Sequence, residues 1–379
     1  MRCTSCSLAS SPAFRRPALL GLAALGLVSL GLAAAPAHAQ TQDLFVSNSG
    51  NNTISRFAGT GPGTFSTTAT TLSDPSGTLS QPFGLVFDAK GDLFAANDGS
   101  NSITEFAAGT TPGTSGAGTV ALTGGGLNQP EGLVFDTRGD LFAANLLGNS
   151  ITEFVAGTTP GTFGVGTNFA SGLNNPFGLA FDAKGDLFAT NGFGGTAGTG
   201  SITEFAFTAG TGTTPGTFGA PSTLSASNGT LNSPRGLAFD AKGDLFAANL
   251  GSNSITEFAF DSASGTLGAG TVALTGGGLN NPFGLAFDAK GDLFATNISN
   301  DTAGMGTITE FAFTAGTGNT PGTFGAGKTF ASGLTAPRFL AFGPLPPAVP
   351  EASTTVSLGL LLALGLGGMV MAARKKRKA

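Results

Sequence analysis

Tryptophan and tyrosine are absent from all 379 residues, and cysteine and histidine occur only near the start, as Cys3, Cys6 and His38. Everything beyond position 38 therefore lacks a thiolate nucleophile, an imidazole base, a disulfide and a Cys/His metal site. Phenylalanine is the sole aromatic, and charged residues make up only 10% of the chain. Hydroxyls, carboxylates, a few cationic side chains and the backbone are left for any chemistry.

What is present falls into three parts. Arg15 and Arg16 precede an apolar stretch over 18–35, and Ala37-His38-Ala39 is a small-residue cleavage site, so residues 1–39 read as a secretory signal with Gln40 as the first mature residue. Phe14 and Pro17 flank the twin arginines poorly for Tat export, which favours the ordinary Sec route. At the far end a linker over 344–353 carries Val349, Pro350 and Glu351. An apolar run over 354–373 follows, long enough to cross about 30 Å of hydrocarbon as one transmembrane helix. Five cations, Arg374 to Lys378, occupy the tail over 374–379 and place that end in the cytoplasm, with the large preceding part outside.

This order of Pro-Glu motif, membrane helix and basic end resembles the PEP-CTERM sorting signal of bacterial envelope proteins. The resemblance covers residues 349–379 and implies an exosortase-type processing peptidase as a partner, with delivery to the cell surface or extracellular matrix. Ala352 stands where that family usually has a second proline, and an uncleaved anchor helix is the other reading of the same tail.

Removing the ends changes the charge. The overall −5 includes eight cations at the termini; between positions 40 and 350, nine cations face 21 acids, a balance of −12. Such a surface repels nucleic acid rather than attracting it.

The middle is a repeat, and the repeat decides the architecture. Pro82-Phe83-Gly84-Leu85-Val86-Phe87-Asp88-Ala89-Lys90-Gly91-Asp92-Leu93-Phe94-Ala95-Ala96-Asn97 recurs, barely altered, from Pro130, Pro176, Pro234 and Pro282, at spacings of 48, 46, 58 and 48 residues. That period suits a four-stranded propeller blade. Two short apolar runs are joined by a turn, 88–91, with Gly91 at a positive-φ position; a third strand is expected at Ser102-Ile103-Thr104-Glu105-Phe106 and a fourth around Thr119-Val120-Ala121-Leu122. Pro-Gly turns separate the third from the fourth. Residues 43–57 begin inside a repeat without its first strand, and Pro337-Arg338-Phe339-Leu340-Ala341-Phe342 supplies that strand at the end. The expectation is an all-β, six-bladed propeller over 40–343, closed by strands from both termini, which leaves no free sheet edge. Over residues 43–342 the chain resembles NHL-repeat propellers, whose blades read Pro-x-Gly-apolar-Ala-apolar-Asp; the resemblance implies the fold and says little about the task.

Features repeated in every blade read as structure. The strand-ending asparagines (Asn48, Asn97, Asn145, Asn191, Asn249, Asn297) and turn aspartates (Asp88, Asp136, Asp182, Asp240, Asp288) suit turn hydrogen bonding. The Thr-Glu-Phe glutamates, one per full blade, offer no pair in contrasting environments for acid–base work. The residue between Pro and Gly breaks the symmetry: Phe83, Glu131, Phe177, Arg235, Phe283 and Arg338. At a channel rim these could hold an anionic or aromatic partner; drift at a solvated rim is the competing account. Asn97-Asp98-Gly99-Ser100-Asn101 could bind Ca²⁺ but lacks the established loop spacing.

The chain also resembles six-bladed gluconolactonase-type propellers, which implies a divalent metal held by Asn and Asp at this inner-strand position plus a Glu. Here Glu131 alone could serve, and Ca²⁺ wants six to eight oxygens. Streptogramin-lyase propellers resemble the repeat too, but depend on a histidine that the mature chain lacks. The sequence therefore points to a non-enzymatic surface or matrix scaffold or interaction module, with no cofactor and no metal site expected. A metal-dependent hydrolase or lactonase is the alternative.

Overall fold

The computed structural model describes residues 41–344, apart from 73, 110–114, 160, 193–199, 212–215, 225–229, 300–302 and 317–321. The cleavage-site residues Ala37, Ala39 and Gln40, the sorting residues Val349, Pro350 and Glu351, and the expected membrane helix all lie outside the described residues. Among the described residues no helix is long and apolar enough to cross a membrane.

The repeat folds as an all-β, six-bladed propeller. In the blade that starts at Pro82, strands Pro82–Phe87, Leu93–Asn97, Ser102–Phe106 and Thr119–Thr123 pair antiparallel in that order from the channel outward. Five further sheets repeat the order, and their inner strands neighbour one another in a closed cycle. The closing blade borrows its inner strand, Pro337–Phe342, from the chain end and pairs it with Leu44–Asn48, with Leu44 opposite Phe342 and Val46 opposite Leu340. Ser47 Oγ ties the seam, accepting from the Phe339 amide at 3.1 Å and donating to the Phe83 carbonyl at 2.5 Å.

Burial follows position in the sheet. Every residue of the second strand is buried, as in Leu93–Asn97 and Leu141–Asn145, because blades stack on both of its faces. The fourth strand is not: Val120 is 50% exposed. Continuous burial thus belongs to the second strand; the fourth keeps only its inward side chains covered, as where Phe169 meets Phe205 of the next blade at 5.3 Å.

The turn chemistry explains the repeated polar residues. Gly91 has φ of 89°, open to glycine at little cost, and the Asp88 carboxylate accepts from the amides of Lys90 and Asp92, both at 2.9 Å. Lys90 Nζ in turn lies 2.6 Å from Asp92, whose other oxygen accepts from the Ala108 amide at 2.7 Å. In the closing blade the chain termini interrupt this turn and its lysine is missing. Arg56, standing where the other blades have glutamate, pairs with Asp43 at 2.6 Å instead.

One element escaped the sequence reading. The link between third and fourth strands is itself a small hairpin, such as Phe207–Thr208 with Thr217–Phe218, or Gly59–Gly61 with Thr64–Phe65. Its apolar residue wedges against the preceding blade: Phe65 on Phe294, Phe163 on Phe94, Phe218 on Phe142 and Phe324 on Phe246, with ring centroids between 5.6 and 6.2 Å apart. Leu267 fills the same role beside Phe188 and Phe239. At the remaining interface the equivalent residue is Ser115. There Gly343 lies beside the rings of Phe45 and Phe87, and Pro344 lies beside Gly91, so the outgoing chain covers that seam.

Candidate functional site

A β-bulge builds the channel mouth. Pro82 pairs with Asn97 and Leu85 with Ala95, so Phe83 and Gly84 together face the single residue Ala96. The same shift occurs in all six blades. A bulge re-aims one side chain, here the residue between Pro and Gly, toward the axis. Glycine follows because the next blade presses on the bulge: a Cβ on Gly84 would lie 2.2 Å from the Glu131 carbonyl, and one on Gly132 equally close to that of Phe177. The closing blade has Phe339 in place of this glycine. Its ring joins the mouth, with its centroid 5.4 Å from that of Phe283.

Six residues drawn from six blades thus line one cavity of about 480 Å³: Phe83, Glu131, Phe177, Arg235, Phe283 and Arg338. The sequence reading placed them at the channel rim, with drift at a solvated rim as the competing account. Instead Glu131 is 1% exposed, Phe283 2%, Phe177 7% and Phe83 9%. They pack as an apolar plug, with Phe83 and Phe177 edge-on to Phe283 at 5.8 and 6.0 Å. Burial replaces solvation because the bulges tip the side chains inward, onto one another.

The two arginines sit on this plug. Arg235 Cζ lies 3.6 Å from the Phe177 ring centroid and 5.9 Å from that of Phe283; Arg338 Cζ lies 4.7 Å from Phe83 and 5.0 Å from Phe283. Partly desolvated contacts of this kind are favourable by about 1–2 kcal/mol. Arg235 Nη1 donates to the Gly192 carbonyl at 3.3 Å, and its Nε is buried without a hydrogen-bond partner. Arg338 Nε donates to Ser49 Oγ at 2.8 Å.

Burial dominates the electrostatics. It pushes the Glu131 carboxyl well above the ordinary carboxylate range, reinforced by Asp98 and opposed by Arg338 and Arg235. Glu131 Oε2 has no hydrogen-bond partner. Burial also pulls Arg235 down to about 10, resisted by Glu131 and abetted by Arg338. Asp98 is raised by burial against the pull of Arg338.

Asp98 belongs to a second ring that sequence reasoning missed. The residue after each strand-ending asparagine also varies: Ser49, Asp98, Leu146, Gly192, Leu250 and Ile298. Leu146, Leu250 and Ile298 line the cavity, as does Asn281. Gly192 leaves room for Arg235, whose Nη1 would lie 1.9 Å from any Cβ there. Variation at a second position of an otherwise constant repeat was the available signal.

The repeated polar residues are structural, as expected. Asn145 Oδ1 accepts from the Asn128 amide at 3.1 Å, and its Nδ2 donates to Ser150 and Thr152 hydroxyls at 3.2 and 2.9 Å. Asn97, Asn191, Asn249 and Asn297 make the same set. Asn48 keeps the hydroxyl contacts, but its Oδ1 is unpartnered. In the loop considered for Ca²⁺, Asn97 Oδ1 is committed to the Ser80 amide and Asn101 Oδ1 to the Gln129 amide of the next blade. Among the described residues no three His, Cys, Asp or Glu side chains are grouped to hold a metal ion.

No protein-family model matches the chain, and no curated protein matches it. Solved structures do. A chain in a nidogen–laminin complex is similar at 19% identity, over 80% of this chain and 98% of that one, with a TM-score of 0.55. A gluconolactonase from Xanthomonas campestris is similar at 18% identity over 69% of this chain and 84% of its own, with a TM-score of 0.46. A catalytically inactive virginiamycin B lyase from Staphylococcus aureus, solved with quinupristin, is similar at 15% identity over 64% and 69%, with a TM-score of 0.41. At such identities the likeness concerns the fold, and of these three the nidogen–laminin chain alone exceeds a TM-score of 0.5.

Proposed function

We propose that this chain is an exported, non-enzymatic propeller that works as an interaction module at the cell surface or in the extracellular matrix, with the channel-mouth cavity as its contact site. An exosortase-type peptidase and the membrane are its expected partners at the tail, and nucleic acid is not a partner. One observation supports the reading above the rest. The residues that depart from an otherwise near-constant repeat converge on one cavity, where Glu131 Oε2 and Arg235 Nε are buried without partners. Orphaned buried polar atoms are costly, and a bound group that pairs them removes the cost.

The test compares binding of the purified full-length protein and its Arg235→Met/Arg338→Met variant to envelopes of the cells that produce it. Methionine keeps the apolar contact with the phenylalanine rings, whereas alanine would also remove packing and confuse stability with binding. Capture should fall at least about tenfold with the melting temperature nearly unchanged; equal capture would sink the assignment of the site. Lactone hydrolysis above background, with added Ca²⁺, that disappears in Glu131→Gln would overturn the non-enzymatic reading. At the tail, Glu351→Ala should block processing and surface delivery, and normal delivery would remove the sorting proposal.

A further inference from the structure

Resting on the cavity as the contact site, we infer that it takes a small organic anion: a carboxylate on an apolar body, its oxygens against Arg235 and Glu131 and its body on the phenylalanine plug. The Phe177 ring lies against Arg235, its centroid 3.6 Å from Cζ, and the Phe83 and Phe283 centroids lie 4.7 and 5.0 Å from Arg338 Cζ. With a ring against one face, a guanidinium still offers a ligand its in-plane N–H edge, which matches the two oxygens of a carboxylate. On that edge Arg235 Nε is buried and unpartnered.

Charge points the same way. The titratable groups around the cavity are Glu131, Asp98, Arg235 and Arg338. Burial holds Glu131 toward its neutral acid, so two guanidiniums face the single carboxylate of Asp98. The mouth is thus locally cationic within a domain whose balance is −12. A neutral Glu131 also carries an O–H that can donate to an incoming oxygen, and its Oε2 has no other partner. The remaining lining, Leu146, Leu250 and Ile298 beside the rings, is apolar and demands an apolar body. A cavity of about 480 Å³ falls within the range of small-molecule sites.

The experiment titrates the detergent-solubilised full chain with phenylbutanoate, phenylbutanamide and phenylbutylamine by calorimetry at mildly acidic pH. The three share one body and differ in the charge of the head. The anion should bind at least about tenfold more tightly than the amide, and the cation should not bind. Arg235→Met should bring the anion down to the level of the amide. Equal binding of anion and amide, or preference for the cation, overturns the anion assignment while leaving the cavity as a contact site. No binding of any of the three overturns it as well. In that event envelope capture separates the readings: capture lost in the arginine variant keeps the site, and capture retained removes both.

Discussion

The two ends of the inner strands obey opposite rules. At the turn end each full blade carries the same set: an aspartate accepting two amides, a lysine or arginine beside it, and a second aspartate pinning the outer hairpin. At the mouth end the six equivalent positions hold phenylalanine, glutamate or arginine. Repetition at one end reflects a local requirement that every hairpin must meet. Divergence at the other is possible because the bulge constrains the glycine and leaves its predecessor free to vary. The repeat supplies the scaffold, and its departures supply the site.

The comparison breaks most severely at the bulge glycine. Gly132→Val would drive side-chain atoms into the Phe177 carbonyl, a backbone atom with nowhere to go. Chemical denaturation should show a loss of about 4 kcal/mol or more, or no folded protein. A tolerated valine would mean that the blades pack less closely than the bulge requires.

Next come the asparagines, where two blades can be set against each other. Asn145→Ala strands the Asn128 amide and two hydroxyls in the interior and should cost about 2–3 kcal/mol. Asn48→Ala should cost about 1 kcal/mol less, since its Oδ1 has no partner to lose. Equal losses from the two variants would contradict the assignment of that bond as the difference.

Glu131→Gln sharpens the mouth. The raised pKa means that the native state holds a proton which the unfolded chain releases, so stability falls as pH rises from the ordinary carboxylate range through the raised value. Thermal unfolding across that range should be flatter for the variant than for the wild type, with a melting temperature higher by about 2 °C at neutral pH. Equal dependence in the two proteins would show that Glu131 does not hold an extra proton in the native state.

The smallest effect is expected at the repeated turn. Lys90 is nearly half exposed, and surface pairs such as Lys90–Asp92 contribute about 0.5 kcal/mol. Lys90→Met should therefore shift denaturation barely at all. The analogous change at Lys184 should cost slightly more, because its Nζ pairs with Asp186 and also reaches the Gly265 carbonyl of the next blade at 2.9 Å.

Much of this is legible in the sequence alone. The positive-φ glycine and the structural part played by the asparagines follow from residues within about one hairpin of each other, where turn chemistry is local, and blade count and closure by both termini follow from counting the repeat along the chain. The outer hairpin was hidden because its strands span only two or three residues, such as Phe207–Thr208, too short for an alternation pattern. Its wedge role was hidden because Phe65 and Phe294 meet only when the ring closes. Asp98 was legible as a loop residue but not as a neighbour of Glu131 and Arg338, which come from different blades.

The sequence by itself determined the repeat, the strands and the identity of the divergent positions, because hydrogen bonding and hydrophobic patterning act over a few residues. Tertiary structure alone decided that these positions form a buried plug rather than a wet rim. Only closure of the ring brings six bulges onto one axis, and only there do burial and opposing charge set the protonation of Glu131 and the stacking of Arg235 and Arg338.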